Sequence, residues 1–127
     1  MESRGRPSSC ASSGGSALDG SYFSNHYAPE NPDPALQRFL AAYKKAYGSV
    51  PDSVGALSYD TGRLAIHALR EAKDLSGPAL RDALAGVKEF PGVTGKITFD
   101  NQRNPQKAAV VLKVEDGKAA FVATVQP

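Results

Sequence analysis

Apolar positions in the first half of the chain recur at spacings of three and four. Leu36, Phe39, Leu40, Tyr43 and Tyr47 share one face of a helix predicted over 34–47, opposite Gln37, Arg38, Lys44 and Lys45. Asp33 is a good N-cap, Pro34 suits the first helical position and Gly48 is a natural stop. The late lysines suit the negative end of the helix dipole. A second helix over 53–73 follows Pro51, capped by Asp52 or Ser53, with a stripe of Leu57, Thr61, Leu64, Ala65, Ala68, Leu69 and Ala72. Its alanines and Gly62 predict close packing against another element, because glycine costs about 1 kcal/mol relative to alanine inside a helix. Ser76 and Pro78 open a third helix over 77–86, with Leu80, Ala83 and Leu84 facing inward.

The period then changes. Pro91 and Gly92 end the helix-forming sequence, and Lys96-Ile97-Thr98-Phe99 reads as a short strand with Ile97 and Phe99 on one face. Asp100 opens a polar turn that runs to Pro105. Val110, Leu112 and Val114 alternate with polar positions, Asp116-Gly117 is a two-residue hairpin turn, and Phe121, Ala123 and Val125 alternate on the return strand. Upstream, Ser21 to Tyr27 has strand propensity, whereas three prolines within Pro29 to Pro34 forbid regular structure there. Met1 to Gly15, rich in Ser, Gly and Arg, reads as a disordered leader, a linker or an expression remnant, so 1–15 is set apart from a segment over 16–127.

Composition narrows the function classes. A hydrophobic content of 41% with 22% charged residues fits a soluble globular chain of one domain's size or part of one. The net charge of +2 is spread among mixed signs, so no basic stripe points to nucleic acid. No apolar run approaches the roughly 20 residues that span a bilayer. The single cysteine, Cys10, forms no internal disulfide and follows no apolar run, so no export signal or lipid-attachment site is read there.

Candidate chemistry is sparse. His26 and His67 stand apart from each other and from Cys10, without the spacing of a metal site. Gly95-Lys96-Ile97 fails as a phosphate loop, since Ile97 stands where Ser or Thr is needed and Phe90 where the first glycine is needed. Asp100-Asn101-Gln102 lacks the downstream glutamate of a calcium loop. No Gly-x-Ser-x-Gly elbow occurs. Asp60, Glu71 and Asp74 read as a solvated helical face, and Tyr43 and Tyr47 as core. Tyr59 fits its helix stripe less well. Beside Gly55 and Ala56 near a helix N-terminus, it reads either as ordinary packing or as part of a small-ligand site. No acid/base pair, nucleophile or cofactor set emerges, so an enzyme ranks last.

Several stretches together resemble a known family. They are Leu18 to Tyr27, Pro32-Asp33-Pro34, Phe39 through Gly48, Ala56-Leu57-Ser58-Tyr59-Asp60, Phe90 through Asp100, Val111-Leu112-Lys113-Val114 and Asp116-Gly117-Lys118. In one register from about Gly15 to Pro127, the chain resembles the C-terminal segment of substrate-binding proteins of ABC importers for branched-chain amino acids. These are the leucine/isoleucine/valine type, with the type 1 periplasmic-binding fold. The resemblance implies an α/β partial fold of three helices, a short strand and a C-terminal hairpin. It implies a function of binding a leucine, isoleucine or valine-like amino acid without chemistry or cofactor and presenting it to a membrane permease, in the periplasm or outside the cell. A non-binding remnant and a ligand-sensing domain of a receptor are the alternatives. By the same resemblance Gly55, Ala56 and Tyr59 become cleft-lining candidates. Most of the ligand's contacts, and the sheets that would cover the helices, belong to parts of such proteins that precede this segment. Weak binding and self-association through apolar faces are the resulting expectations.

Overall fold

The computed structural model describes residues 15–127. A short 3-10 turn, Gly15–Leu18, leads into strand β1, Tyr22–Asn25. Three helices follow: α1, Pro34–Tyr47; α2, Ser53–Glu71; and α3, Gly77–Ala85. Then come β2, Phe90–Gly92; β3, Gly95–Phe99; β4, Pro105–Gln106; β5, Ala109–Glu115; and β6, Lys118–Val125.

The helix ends sit where local chemistry puts them. The Asp33 carboxylate accepts from the Ala35 and Leu36 amides at 2.8 and 3.0 Å, and Gly48 closes α1 in the left-handed region at φ 74°. The Asp52 carboxylate accepts from Gly55 N–H at 2.8 Å, and Ser76 Oγ accepts from Ala79 N–H. Each cap satisfies an amide that the helix itself leaves without a partner.

The strands form two antiparallel three-stranded sheets, with orders β1-β5-β6 and β2-β3-β4. Between the first sheet and the helices with the second sheet, the chain crosses twice: from Asn25 to α1 through 26–33, and from β4 back to β5 through Lys107 and Ala108. The hairpin β5–β6 turns at Asp116 and Gly117, both in the left-handed region (φ 52° and 69°), the geometry that matches strand twist.

Three separate apolar clusters hold the described residues together. Tyr27, Leu36, Phe39, Leu40, Ala56 and Val93 fill the space between α1 and α2. Ala28, Val110 and Leu112 pack with Phe23, Ala119 and Phe121 on the first sheet. Val87, Phe90 and Ile97 pack with Leu64 and Phe99 on the second.

Several expectations are corrected. Beyond the strand predicted over 96–99, which runs Gly95–Phe99, the second sheet gains β2 and β4, because Phe90–Gly92 pairs back onto Gly95–Phe99 despite containing Pro91, and Pro105–Gln106 pairs with the other edge of β3. The buried stripe of α2 is Ala56, Asp60 and Ala68, with Leu64 half-buried, rather than the row through Thr61, Ala65 and Leu69. Ala56 and Ala68 mark the buried face, whereas Gly62 is exposed with nothing within 4 Å of where a Cβ would stand, so it marks no close approach as expected, and larger apolar side chains such as Ile66 and Leu69 remain outside. Tyr47 is 71% exposed at the C-terminal end of α1 rather than in the core. On β6 a bulge opposite Val111 and Leu112 breaks the alternation, so Ala119 and Phe121 face the core and Val125 does not. Residues 1–14, including Cys10, lie outside the described residues.

Candidate functional site

The first turns of α2 gather the sequence-predicted residues. Pro51 and Asp52 hold the chain extended before the helix, and the Pro51 carbonyl accepts the phenolic O–H of Tyr27. Burial, reinforced by Asp52, Glu30 and Tyr43 nearby, pushes the Tyr27 hydroxyl up to about 12, so it stays a donor at neutral pH. Ser53 Oγ donates to Asn25 Oδ1 at 2.9 Å, tying the same turn to the end of β1.

Gly55 spends its amide on Asp52, and a Cβ there would press Pro51 Cβ at 3.2 Å. Ala56 is 0% exposed within the α1–α2 core, so its methyl group faces protein. Tyr59 is 45% exposed, its ring centred 4.6 Å from that of Phe39. Of the three, Tyr59 alone is exposed; Gly55 is half-buried against Pro51 and Asp52, and Ala56 is enclosed.

Tyr59 opens onto a groove of about 650 Å³ between α1, α2 and the β2–β3 turn, lined also by Phe39, Tyr43, Tyr47, Arg63 and Pro91. The aromatic rings form a continuous row: Tyr47 lies 4.5 Å from Tyr43, and Tyr43 5.8 Å from Phe39. The Arg63 guanidinium lies 5.8 Å from the Tyr59 ring centre and 5.2 Å from that of Phe90, and donates to the Pro91 carbonyl at 2.8 Å. The groove therefore offers ring faces, phenolic hydroxyls and positive charge, a set suited to holding a small organic ligand.

One polar centre escaped the sequence reading. Asp60, expected on a solvated face, is 1% exposed. Its Oδ1 accepts from Val93 N–H at 2.7 Å, and its Oδ2 accepts from Thr94 N–H at 2.9 Å and Thr94 Oγ1 at 2.8 Å. Lys107 Nζ donates to Thr94 Oγ1 at 2.6 Å. A lysine ammonium has no acceptor, so the Thr94 hydroxyl accepts from Lys107 and gives its own hydrogen to Asp60. Burial lowers the Lys107 ammonium below its ordinary value, with Asp60 acting in the opposite direction. Asp60 lies four residues after Ala56 and four before Leu64, on the face the small residues mark. That register, together with a Pro-Gly-Val-Thr-Gly turn holding amides to satisfy, was the available signal.

His26 is exposed, and the His67 ring packs 5.5 Å from Phe90. Among the described residues no group of three His, Cys, Asp or Glu side chains converges as a metal site would require. No described helix is long and apolar enough to cross a membrane.

Comparison with known proteins converges on one family. The model of the family described as periplasmic binding protein matches residues 3–119. A Leu/Ile/Val-binding protein homolog 7 from Brucella suis is 32% identical in a 94-residue alignment covering 70% of this chain and 24% of the relative. The leucine binding protein LivK of Thermotoga maritima superposes with a TM-score of 0.78 at 30% identity, over 90% of this chain and 33% of that one. The branched-chain amino acid transporter substrate binding protein LivJ of Streptococcus pneumoniae, solved with isoleucine, gives 0.72 at 32% identity, over 84% and 30%. The chain thus spans about a quarter to a third of the length of these relatives. It belongs to the periplasmic binding protein family, as a partial type 1 periplasmic-binding fold similar to these branched-chain amino acid binding relatives.

Proposed function

We propose that this chain serves in the solute-binding component of an ABC importer for branched-chain or related amino acids, corresponding to its C-terminal part and binding ligand without chemistry. The observation that carries this reading is the position of Tyr59. It is half exposed above an open groove, on the first turns of a helix whose start is gripped by Asn25 and Tyr27 at the entry to the first crossing. Relatives that bind leucine or isoleucine support the ligand class. Proteins of this family work in the periplasm or outside the cell, and the proposed partner is a membrane permease. Gly55 and Tyr59 are the proposed ligand-facing residues, with Ala56 shaping the wall from behind.

One wall of a cleft holds only part of a small ligand. Weak affinity follows, with a dissociation constant of roughly 1 mM or higher. An amide correlation spectrum of the 127-residue chain, titrated with leucine, tests the proposal. Shifts confined to Gly55 through Tyr59 and the facing Phe39 are expected, and Tyr59→Ala removes them while the spectrum stays dispersed. A dispersed spectrum that leucine leaves unmoved at tens of millimolar, an order set by that weak affinity, would sink the proposal.

A second property belongs to the same reading. Val54, Ile66 and Leu69 of α2, and Leu75 just beyond it, are each half or more exposed, and exposed apolar side chains of this kind favour association. We propose that the isolated chain self-associates through them. Light scattering coupled to size exclusion should show a mass that rises with concentration, and Ile66→Lys with Leu69→Lys should return a monomer. A wild-type chain that stays monomeric throughout would contradict it.

A further inference from the structure

Both crossings between the first sheet and the helical body place adjacent or near-adjacent residues in different cores. In the first crossing Tyr27 is buried in the α1–α2 cluster, whereas its neighbour Ala28 is buried on the first sheet. In the second, Lys107 reaches Thr94 beside Asp60, whereas Val110, three residues on, is buried on the first sheet. Among the described residues no strand of the first sheet packs extensively against a helix or against the second sheet. The direct polar ties between the two bodies are few, and include Ser53 to Asn25 and a long 3.5 Å contact from Asn31 to Thr124. The relative orientation of the bodies therefore depends on how firmly each crossing is gripped at its ends.

We infer that Lys107 is the positioning residue of the second crossing, a latch that anchors the chain to the helical body through Thr94 and Asp60, as Tyr27 anchors the first crossing through Pro51. Its bond to Thr94 is short and charge-assisted, at 2.6 Å, and the hydroxyl that receives it is pinned by a buried carboxylate. Lys107 is half-buried, which limits the access of competing water to that bond, in agreement with its lowered pKa. Lys107 lies directly between the end of β4 at Gln106 and the start of β5 at Ala109. Releasing its side chain leaves the second sheet and the helices intact but frees the backbone that leads to the first sheet. Hinges of this kind are a few residues at element ends that absorb the dihedral change. The inference rests on this chain's own contacts and needs no bound amino acid.

Distance distributions between two spin labels test it without ligand. With Cys10 replaced by Ser, labels at Lys45→Cys on α1 and Lys118→Cys at the start of β6 report the orientation of the first sheet relative to the helices; both positions are exposed. Lys107→Met should broaden the distribution by roughly half or more, an amplitude expected of a loosened hinge, with helix content by circular dichroism unchanged. Lys107→Arg keeps a charged donor and should restore the original width. An unchanged width in Lys107→Met overturns the latch. Broadening that Lys107→Arg shares equally assigns the effect to local unpacking and overturns it as well. Should Lys107→Met fail to fold, the shorter polar Lys107→Gln is read the same way, and a narrow distribution there counts against the inference.

Discussion

Replacing Asp60 by alanine should cost about 3–5 kcal/mol of folding stability, the range for removing one partner of a buried, hydrogen-bonded charge. The carboxylate is the common acceptor for the amides of Val93 and Thr94 and for the Thr94 hydroxyl. Without it, all three donors are left in a cavity with no alternative acceptor, and Lys107 loses the negative charge behind its bond. An alanine side chain fills little of the space. Asp60→Asn is the informative companion. Its amide keeps one oxygen but turns an NH₂ group toward donors that also need acceptors, so an intermediate loss of about 2 kcal/mol is expected. Urea unfolding followed by circular dichroism measures both, as a lower midpoint at similar slope. A loss below about 1 kcal/mol for Asp60→Ala, the scale of an ordinary solvated hydrogen bond, would mean that water reaches the turn and that Asp60 is not its organising group.

Gly92→Ala should be nearly as damaging, for a steric rather than an electrostatic reason. A Cβ at Gly92 would lie 2.7 Å from Asp60 Oδ2, 2.7 Å from the Gly95 carbonyl and 3.0 Å from Asp60 Cγ. Neither neighbour can yield cheaply. The carboxylate is held by three donors, and Gly95 is paired with Gly92 across the hairpin at a left-handed φ of 113°. Overpacking of this kind costs about 1–3 kcal/mol, and displacing a buried hydrogen-bonded group adds to it. The expected loss is therefore about 3 kcal/mol by the same denaturation measurement. The two substitutions share a contact, so they should not add. In the double variant the new methyl group enters space the carboxylate vacated, and the combined loss should fall short of the sum by about 1 kcal/mol or more. Strict additivity would place the two sites in separate environments, against the geometry that brings them together.

The stretch Phe90-Pro91-Gly92-Val93-Thr94-Gly95 acts as a positioning element. Nothing in it is reactive, and it contributes Pro91 and Val93 to the groove wall beside Tyr59. Its glycine at 92 allows the turn to approach α2, its threonine and two amides bind Asp60, and Asp60 in turn fixes the helix that carries Gly55 and Tyr59. The candidate site is positioned by a buried polar lock one residue away from its most exposed member.

Much of the architecture was legible in the sequence because it is decided by neighbours a few residues apart. Asp33, Pro34 and Gly48 set α1 at Pro34–Tyr47, and Ser76 with Pro78 starts α3. Asp116-Gly117 fixes the β5–β6 hairpin through two left-handed dihedrals. The alternation of Val110, Leu112 and Val114 needs only the two-residue period of a strand. The candidate site was legible only through resemblance, since no spacing rule singles out Gly55, Ala56 or Tyr59. Asp60 was not legible as a core residue. Charge favours solvent unless partners are present, and its partners lie 33 and 34 residues away at Val93 and Thr94. The second sheet was read incompletely for a similar reason. Phe90–Gly92 has poor strand propensity, and pairing with Gly95–Phe99 around a turn bound to Asp60 overrides it. Tyr47 and the outer row of α2 carry the apolar period of a core face but lack an opposing element among the described residues. Periodicity thus determined which segments became helices and strands, whereas burial depended on what tertiary structure brought opposite each face.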